Sequence, residues 1–138
     1  MSYDEIQTGT VIRYPYLWSR EAGRGETEGR KSRPVVVALR VKRTGKPDLL
    51  ALLPITTQAP IKGRIASEIP EAVKQRAGLD RGVRQWIMLD EYNAETLPGT
   101  FYLEPQIPIG RLNDLYLRPL LRDFLGRINQ VEAVRRHD

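Results

Sequence analysis

The sequence predicts an α+β domain, mainly β with helices: a small antiparallel sheet or barrel with one long C-terminal helix. Three observations carry this. Short strand-like runs separated by Gly, Pro and Asp turns fill the chain as far as Leu103. One of them, Val35-Val36-Val37-Ala38-Leu39, is a continuous apolar run, as expected of a strand buried on both faces. Near the end, Leu120, Leu121, Phe124, Leu125, Ile128 and Val131 recur at helical spacing and form one apolar stripe. A chain of 138 residues fits one domain, 1–138, with its core over 9–128, a mobile loop over 19–32 and a tail over 129–138.

The elements follow in order. In Val11–Trp18, Ile12, Tyr14, Tyr16 and Trp18 alternate onto one face, and Pro15 makes this an edge or bulged strand. Ser19–Ser32 reads as a long glycine-containing loop of mixed charge, a kind of segment that is uncommon and often functional. Pro34–Val41 is the second strand. The turn at 42–48 returns the chain antiparallel as Leu49–Thr56, with Pro54 at a fraying end or edge. A short strand over 64–69 is followed by a helix over 71–77, opened by Pro70 and stopped by Gly78. Gln85–Tyr92 and Phe101–Leu103 read as strands. Pro119 is tolerated only in a first helical turn, so the last helix starts near Arg118 or is kinked there, and Gly126 weakens it.

Composition narrows the chemistry. Without cysteine there are no disulfides, thiolate metal sites or cysteine nucleophiles. The single histidine, His137, excludes a multi-imidazole metal site and a two-histidine acid–base pair; no cofactor is expected. The first residues lack a basic region and an apolar signal core, and no apolar run is long enough to span a bilayer. A cytoplasmic protein without membrane contact is the expectation. Lys and Arg outnumber Asp and Glu by 22 to 17, which favours an anionic partner, nucleic acid first.

The candidate residues cluster at strand ends. Arg33 begins one strand and Thr56 ends its antiparallel partner, so a hairpin brings both to one edge of the sheet. A guanidinium offers a fork of donors matched to phosphate, and a threonine hydroxyl can donate to a second phosphate oxygen. Together they would make an oxyanion clamp. The alternative is that Thr56, Thr57 and Gln58 only form turn hydrogen bonds. Glu28 is available as a general base or is an ordinary surface charge. Trp18, at the loop mouth, either stacks a base or packs in the core. Arg24, Arg30, Lys31, Thr57 and Gln58 are candidates for contacts to a nucleic-acid strand.

Taken together, these stretches resemble the MazF/PemK-type toxins of bacterial toxin–antitoxin pairs. Gly9-Thr10-Val11 is similar to the family's opening glycine and first strand. Glu28, then Lys31-Ser32-Arg33-Pro34-Val35-Val36-Val37, resembles its acidic loop residue and Gly-x-Arg-Pro-apolar strand. Leu53-Pro54-Ile55-Thr56-Thr57-Gln58 is similar to its Pro-x-Thr-Ser/Thr-Gln strand end. Gln85–Asp90 and Ile109-Gly110-Arg111-Leu112 resemble the later strand and the lead-in to the terminal helix. In two respects the chain departs from the family: its first loop is longer, and Arg30, Lys31 and Ser32 replace the glycines before the arginine.

The resemblance implies an SH3-like barrel, a homodimer, and a metal-independent endoribonuclease cutting single-stranded RNA, mRNA included, so as to inhibit growth. It also implies a cognate antitoxin whose disordered tail covers the RNA groove. The family's catalytic arginine and threonine fall on Arg33 and Thr56. Transesterification by the RNA's own 2′-hydroxyl is the expected reaction, with Glu28 the most available base. The rival readings are a non-catalytic RNA- or protein-binding module of the same fold and a topoisomerase-poisoning toxin.

Overall fold

The computed structural model describes residues 3–23, 31–97 and 102–135. Among them the strands are β1 (Thr10–Tyr14), β2 (Arg33–Arg43), β3 (Lys46–Thr56), β4 (Ala66–Glu68), β5 (Trp86–Met88), β6 (Glu91–Leu97), β7 (Gly110–Arg111) and β8 (Glu132–Val134). The helices are α1 (Ser19–Ala22), α2 (Glu71–Arg76) and α3 (Asp114–Gly126), with a 3₁₀ turn at Ile128–Gln130. No helix among the described residues is long and apolar enough to cross a membrane.

The β2–β3 hairpin is the scaffold. Its register runs from Val35↔Pro54 to Arg43↔Lys46, interrupted by irregularities between Val37 and Leu39 and between Val41 and Arg43. The turn is tighter than the expected 42–48 because Gly45 takes a φ of +70°, which lets both strands run on to its flanks. On its other edge β3 changes partner. It pairs with β6 over Asp48–Leu52 and with β5 over Ile55–Thr56. Pro54 falls in the gap between these two ladders, where that edge needs no N–H donor; it is therefore interior to the strand and not at a frayed end.

The strand order is β4-β5-β3-β2-β1-β7, with β6 beside β3 and β8 beside β6. All pairs are antiparallel except β6–β8, which is parallel. The sheet is open, which corrects the closed-barrel expectation. Closure needs strands at both ends long enough to meet with tilt and stagger. Here β7 has only two residues and β4 only three.

Side chains alternate along β2 into two cores. Val36 and Ala38 enter a core with Leu53, Ile55, Leu117 and Phe124, which α3 covers. Val35 and Val37 enter a second core with Ile12, Tyr14, Tyr16, Trp18 and Leu52. The strand is thus buried on both faces, as its apolar run predicts. Each such side chain, fully withdrawn from water, is worth roughly 1.5–3 kcal/mol.

Several expected elements change. Gln85–Tyr92 is not one strand: it breaks at Leu89–Asp90, where the Asp90 carboxylate accepts the Ile65 N–H (3.1 Å) and the Arg64 guanidinium and turns the chain from β5 into β6. Tyr102 and Leu103 form no strand, and Phe101 lies outside the described residues. α3 starts at Asp114, upstream of Arg118, because the Asn113 side chain accepts the Leu115 N–H (2.7 Å) and caps it there. Pro119 is therefore inside the helix, and Gly126 closes it. Along the stripe Phe124 is buried and Leu125 is exposed, while Val131 is buried beyond the helix end. The supposed tail contributes β8, which seats Val134 beside Asn93; residues 136–138, with His137, lie outside the described residues. The loop expected over 19–32 opens as α1, and residues 24–30 lie outside the described set.

Candidate functional site

Arg33 is the first residue of β2, opposite Tyr14 of β1. Thr56 is the last residue of β3, opposite Trp86 of β5. Extending the Val35↔Pro54 register by two residues sets Arg33 across from Thr56. Both line one open cleft of about 500 Å³, whose walls also include Trp18, Arg20, Gln58 and Arg64. The hairpin argument from sequence therefore holds for this pair.

The polar groups of the cleft are mostly donors. The Arg33 Nε–H is buried and has no hydrogen-bond partner, and the same is true of the Trp18 indole N–H. Thr56 Oγ1 accepts the Gln58 N–H (3.0 Å), which leaves its hydroxyl proton to be given elsewhere. Buried unpaired donors cost about 1–3 kcal/mol each. Such a cost at a cleft is offset when an acceptor-rich group arrives. An oxyanion with several oxygens is the complementary ligand.

Trp18 belongs to the core. It is 5% exposed and meets Tyr16 edge-on at 5.0 Å between ring centroids. Its ring carries two cations: the Arg20 guanidinium at 5.0 Å and the Arg33 guanidinium at 5.6 Å from the centroid. Of the two expectations for Trp18, core packing is realised, and the ring supports arginines at the cleft.

Three buried polar residues of β6 hold this segment in place. After Pro15 the chain leaves the sheet, and the Asn93 amide substitutes for a strand: it accepts the Leu17 N–H and donates to the Leu17 carbonyl, both at 2.8 Å. Glu91 Oε1 accepts the Tyr16 hydroxyl and the Ser19 N–H, each at 3.0 Å, and Glu95 accepts the Tyr14 hydroxyl. Burial, reinforced by the Glu91 charge, pushes the Tyr16 hydroxyl well above its ordinary range and keeps it a neutral donor. The Glu21 carboxylate accepts the Trp18 N–H (3.0 Å) and fixes the start of α1.

Arg64 also borders the cleft, but its charge is spent. It makes a two-pronged pair with Asp90 (2.7 and 2.8 Å) and reaches Glu91 (3.0 Å). Burial alone would raise the Asp90 carboxyl; the hydrogen bonds from Arg64 and from the Ile65 N–H, with the Arg64 charge, hold it below the usual carboxylate range. Among the described residues Arg20 and Arg33 form no ion pair, so the cleft keeps a positive surplus.

Thr57 and Gln58 are exposed on the cleft wall. Lys31 is exposed and does not line the cleft. Glu28, Arg24 and Arg30 lie outside the described residues. Nothing in the sequence singles out Arg20, Arg64 or the Glu91-Asn93-Glu95 row. The row's period-two polarity is visible, but in sequence it looks like a solvent face; only the arrival of Tyr14, Tyr16 and Leu17 turns it inward. No protein-family model matches this sequence, and no curated protein matches it.

Proposed function

We propose that the protein is a metal-independent endoribonuclease of the MazF/PemK type, the toxin of a toxin–antitoxin pair, acting on single-stranded RNA. The observation that carries the proposal is the unpartnered, buried Nε–H of Arg33 in a cleft shared with the free hydroxyl proton of Thr56. The motif resemblance supplies the reaction class. The same reading relates the sheet to an SH3-like architecture opened between β4 and β7, and it takes homodimerisation and an antitoxin partner from the resemblance.

In this mechanism the RNA's 2′-oxygen forms a bond to the adjacent phosphorus as the bond from phosphorus to the 5′-oxygen breaks. The products are a 2′,3′-cyclic phosphate and a 5′-hydroxyl. One proton leaves the 2′-hydroxyl for a base and one is delivered from solvent water to the 5′-oxygen. Arg33 remains a cation, since its pKa lies above about 12. It stabilises the charge that grows on the non-bridging oxygens and can donate to the leaving oxygen. Thr56 holds a non-bridging oxygen. Glu28, the most available base, takes the 2′-hydroxyl proton.

Incubation of the pure protein with a long RNA in EDTA tests the proposal. Discrete cuts bearing 5′-hydroxyl ends are expected. Intact RNA with a mobility shift would replace the nuclease by a binding module, and intact RNA with inhibited supercoiling would replace it by a topoisomerase poison.

A further inference from the structure

The Trp18 ring supports two guanidiniums where catalysis at one phosphate needs one. Elsewhere in the molecule an arginine over an indole is neutralised: Arg84 lies 4.9 Å from the Trp86 ring centroid and forms a two-pronged pair with Glu68 (2.9 and 2.8 Å). The third arginine of the cleft, Arg64, is likewise paired, with Asp90 and Glu91. Arg20 and Arg33 form no ion pair among the described residues, although Arg20 also borders a second hollow lined by Asp90, Glu91 and Glu132. The Trp18 indole N–H beside them is unpartnered, in a residue that is 5% exposed. Two cations share one ring with no described carboxylate in direct contact with either, and an anion bound between them relieves their repulsion.

We infer that Trp18 and Arg20 form a second phosphate subsite beside the Arg33–Thr56 pair, taking the neighbouring phosphate of the same RNA strand. The inference rests on the ribonuclease reading above. The two guanidinium centres lie no farther apart than the sum of their distances to the shared ring, 5.0 and 5.6 Å. A stacked nucleic-acid strand carries one charge about every 3.4 Å along its axis, so consecutive phosphates fall within that span. Arg20 is presented by α1, which is fastened by the Ser19 N–H to Glu91, the Ser19 hydroxyl to Glu132 and the Trp18 backbone N–H to Glu21. The subsite is thus built on a fixed turn of helix, and binding a second phosphate there sets the register of the strand across Arg33.

The test is the Arg20→Gln variant, with Arg20→Lys beside it. Binding of an RNA oligonucleotide that is 2′-O-methylated at every position, and so uncleavable by this route, is followed by fluorescence anisotropy from low to moderate salt. Arg20→Gln is expected to weaken binding about tenfold at low salt and to lower the salt slope by about 0.7, the value of one phosphate contact on a single strand. With cleavable RNA it raises KM more than it lowers kcat. Arg20→Lys restores the slope. A wild-type protein that cuts RNA while Arg20→Gln keeps the wild-type slope overturns the subsite alone, as does a slope that lysine does not restore. A wild-type protein that neither binds nor cuts RNA overturns the ribonuclease reading and the subsite with it.

Discussion

Arg33→Met separates a functional arginine from a structural one. Methionine keeps an unbranched apolar stem against Trp18 and removes the guanidinium. Two stability effects then oppose each other. The arginine's contact with the indole, at 5.6 Å, is worth about 0.5–2 kcal/mol and is lost. The buried, unpartnered Nε–H costs about 1–3 kcal/mol in the native protein, and that cost disappears. Their difference lies near zero or on the stabilising side. Urea denaturation should therefore find the variant within about 1 kcal/mol of wild type, or more stable. Cleavage should behave otherwise. Loss of a preorganised donor to a developing oxyanion costs about 2.7–4 kcal/mol in the barrier, a fall of about 10²–10³ in rate. Stability kept and activity lost is the pattern of a site whose strain serves its ligand. A variant destabilised by more than about 2 kcal/mol would refute this, because Arg33 would then be a structural residue. So would cleavage at the wild-type rate.

Other perturbations probe different parts of the molecule. Thr56→Val removes the hydroxyl with little change of shape; it should cost about 0.5–1.5 kcal/mol in stability, through the lost Gln58 N–H bond, and about 10²-fold in cleavage rate. Asp90→Asn should lower stability at neutral pH. Because the native Asp90 carboxyl is held below its unfolded value of about 4, its contribution is complete above that pH and is lost as pH falls through the native value. The gap between wild type and Asp90→Asn in urea midpoint should therefore hold above about pH 5 and narrow as pH falls below about 4. Gly110→Ala should destabilise by about 3 kcal/mol or more, read from the same denaturation curves, because a Cβ there would sit 2.1 Å from the Ala77 carbonyl oxygen and the obstacle is backbone.

Local rules account for several features that can be read before any fold is known. The apolar run Val35–Leu39 had to be a strand with both faces covered, and it is. Arg33 and Thr56 had to share a sheet edge once a short turn made their strands a hairpin, and they line one cleft. The alternation of Ile12, Tyr14, Tyr16 and Trp18 onto one buried face follows from the strand period and from the extended chain that continues past Pro15. Other features depend on partners remote in sequence. Glu91, Asn93 and Glu95 alternate as a solvent-facing strand would, yet they point inward because Tyr14, Tyr16 and Leu17 bring hydroxyls and backbone groups to meet them. The break at Leu89–Asp90 needs Arg64 and Ile65 from another segment. β8 exists because β6 offers it an edge, and the short β4 and β7 leave the sheet open. Arg20 illustrates the same limit. In sequence it is one charge in a loop, and only the fold sets it over the same indole as Arg33, since contacts between side chains of different segments are fixed by packing and not by spacing.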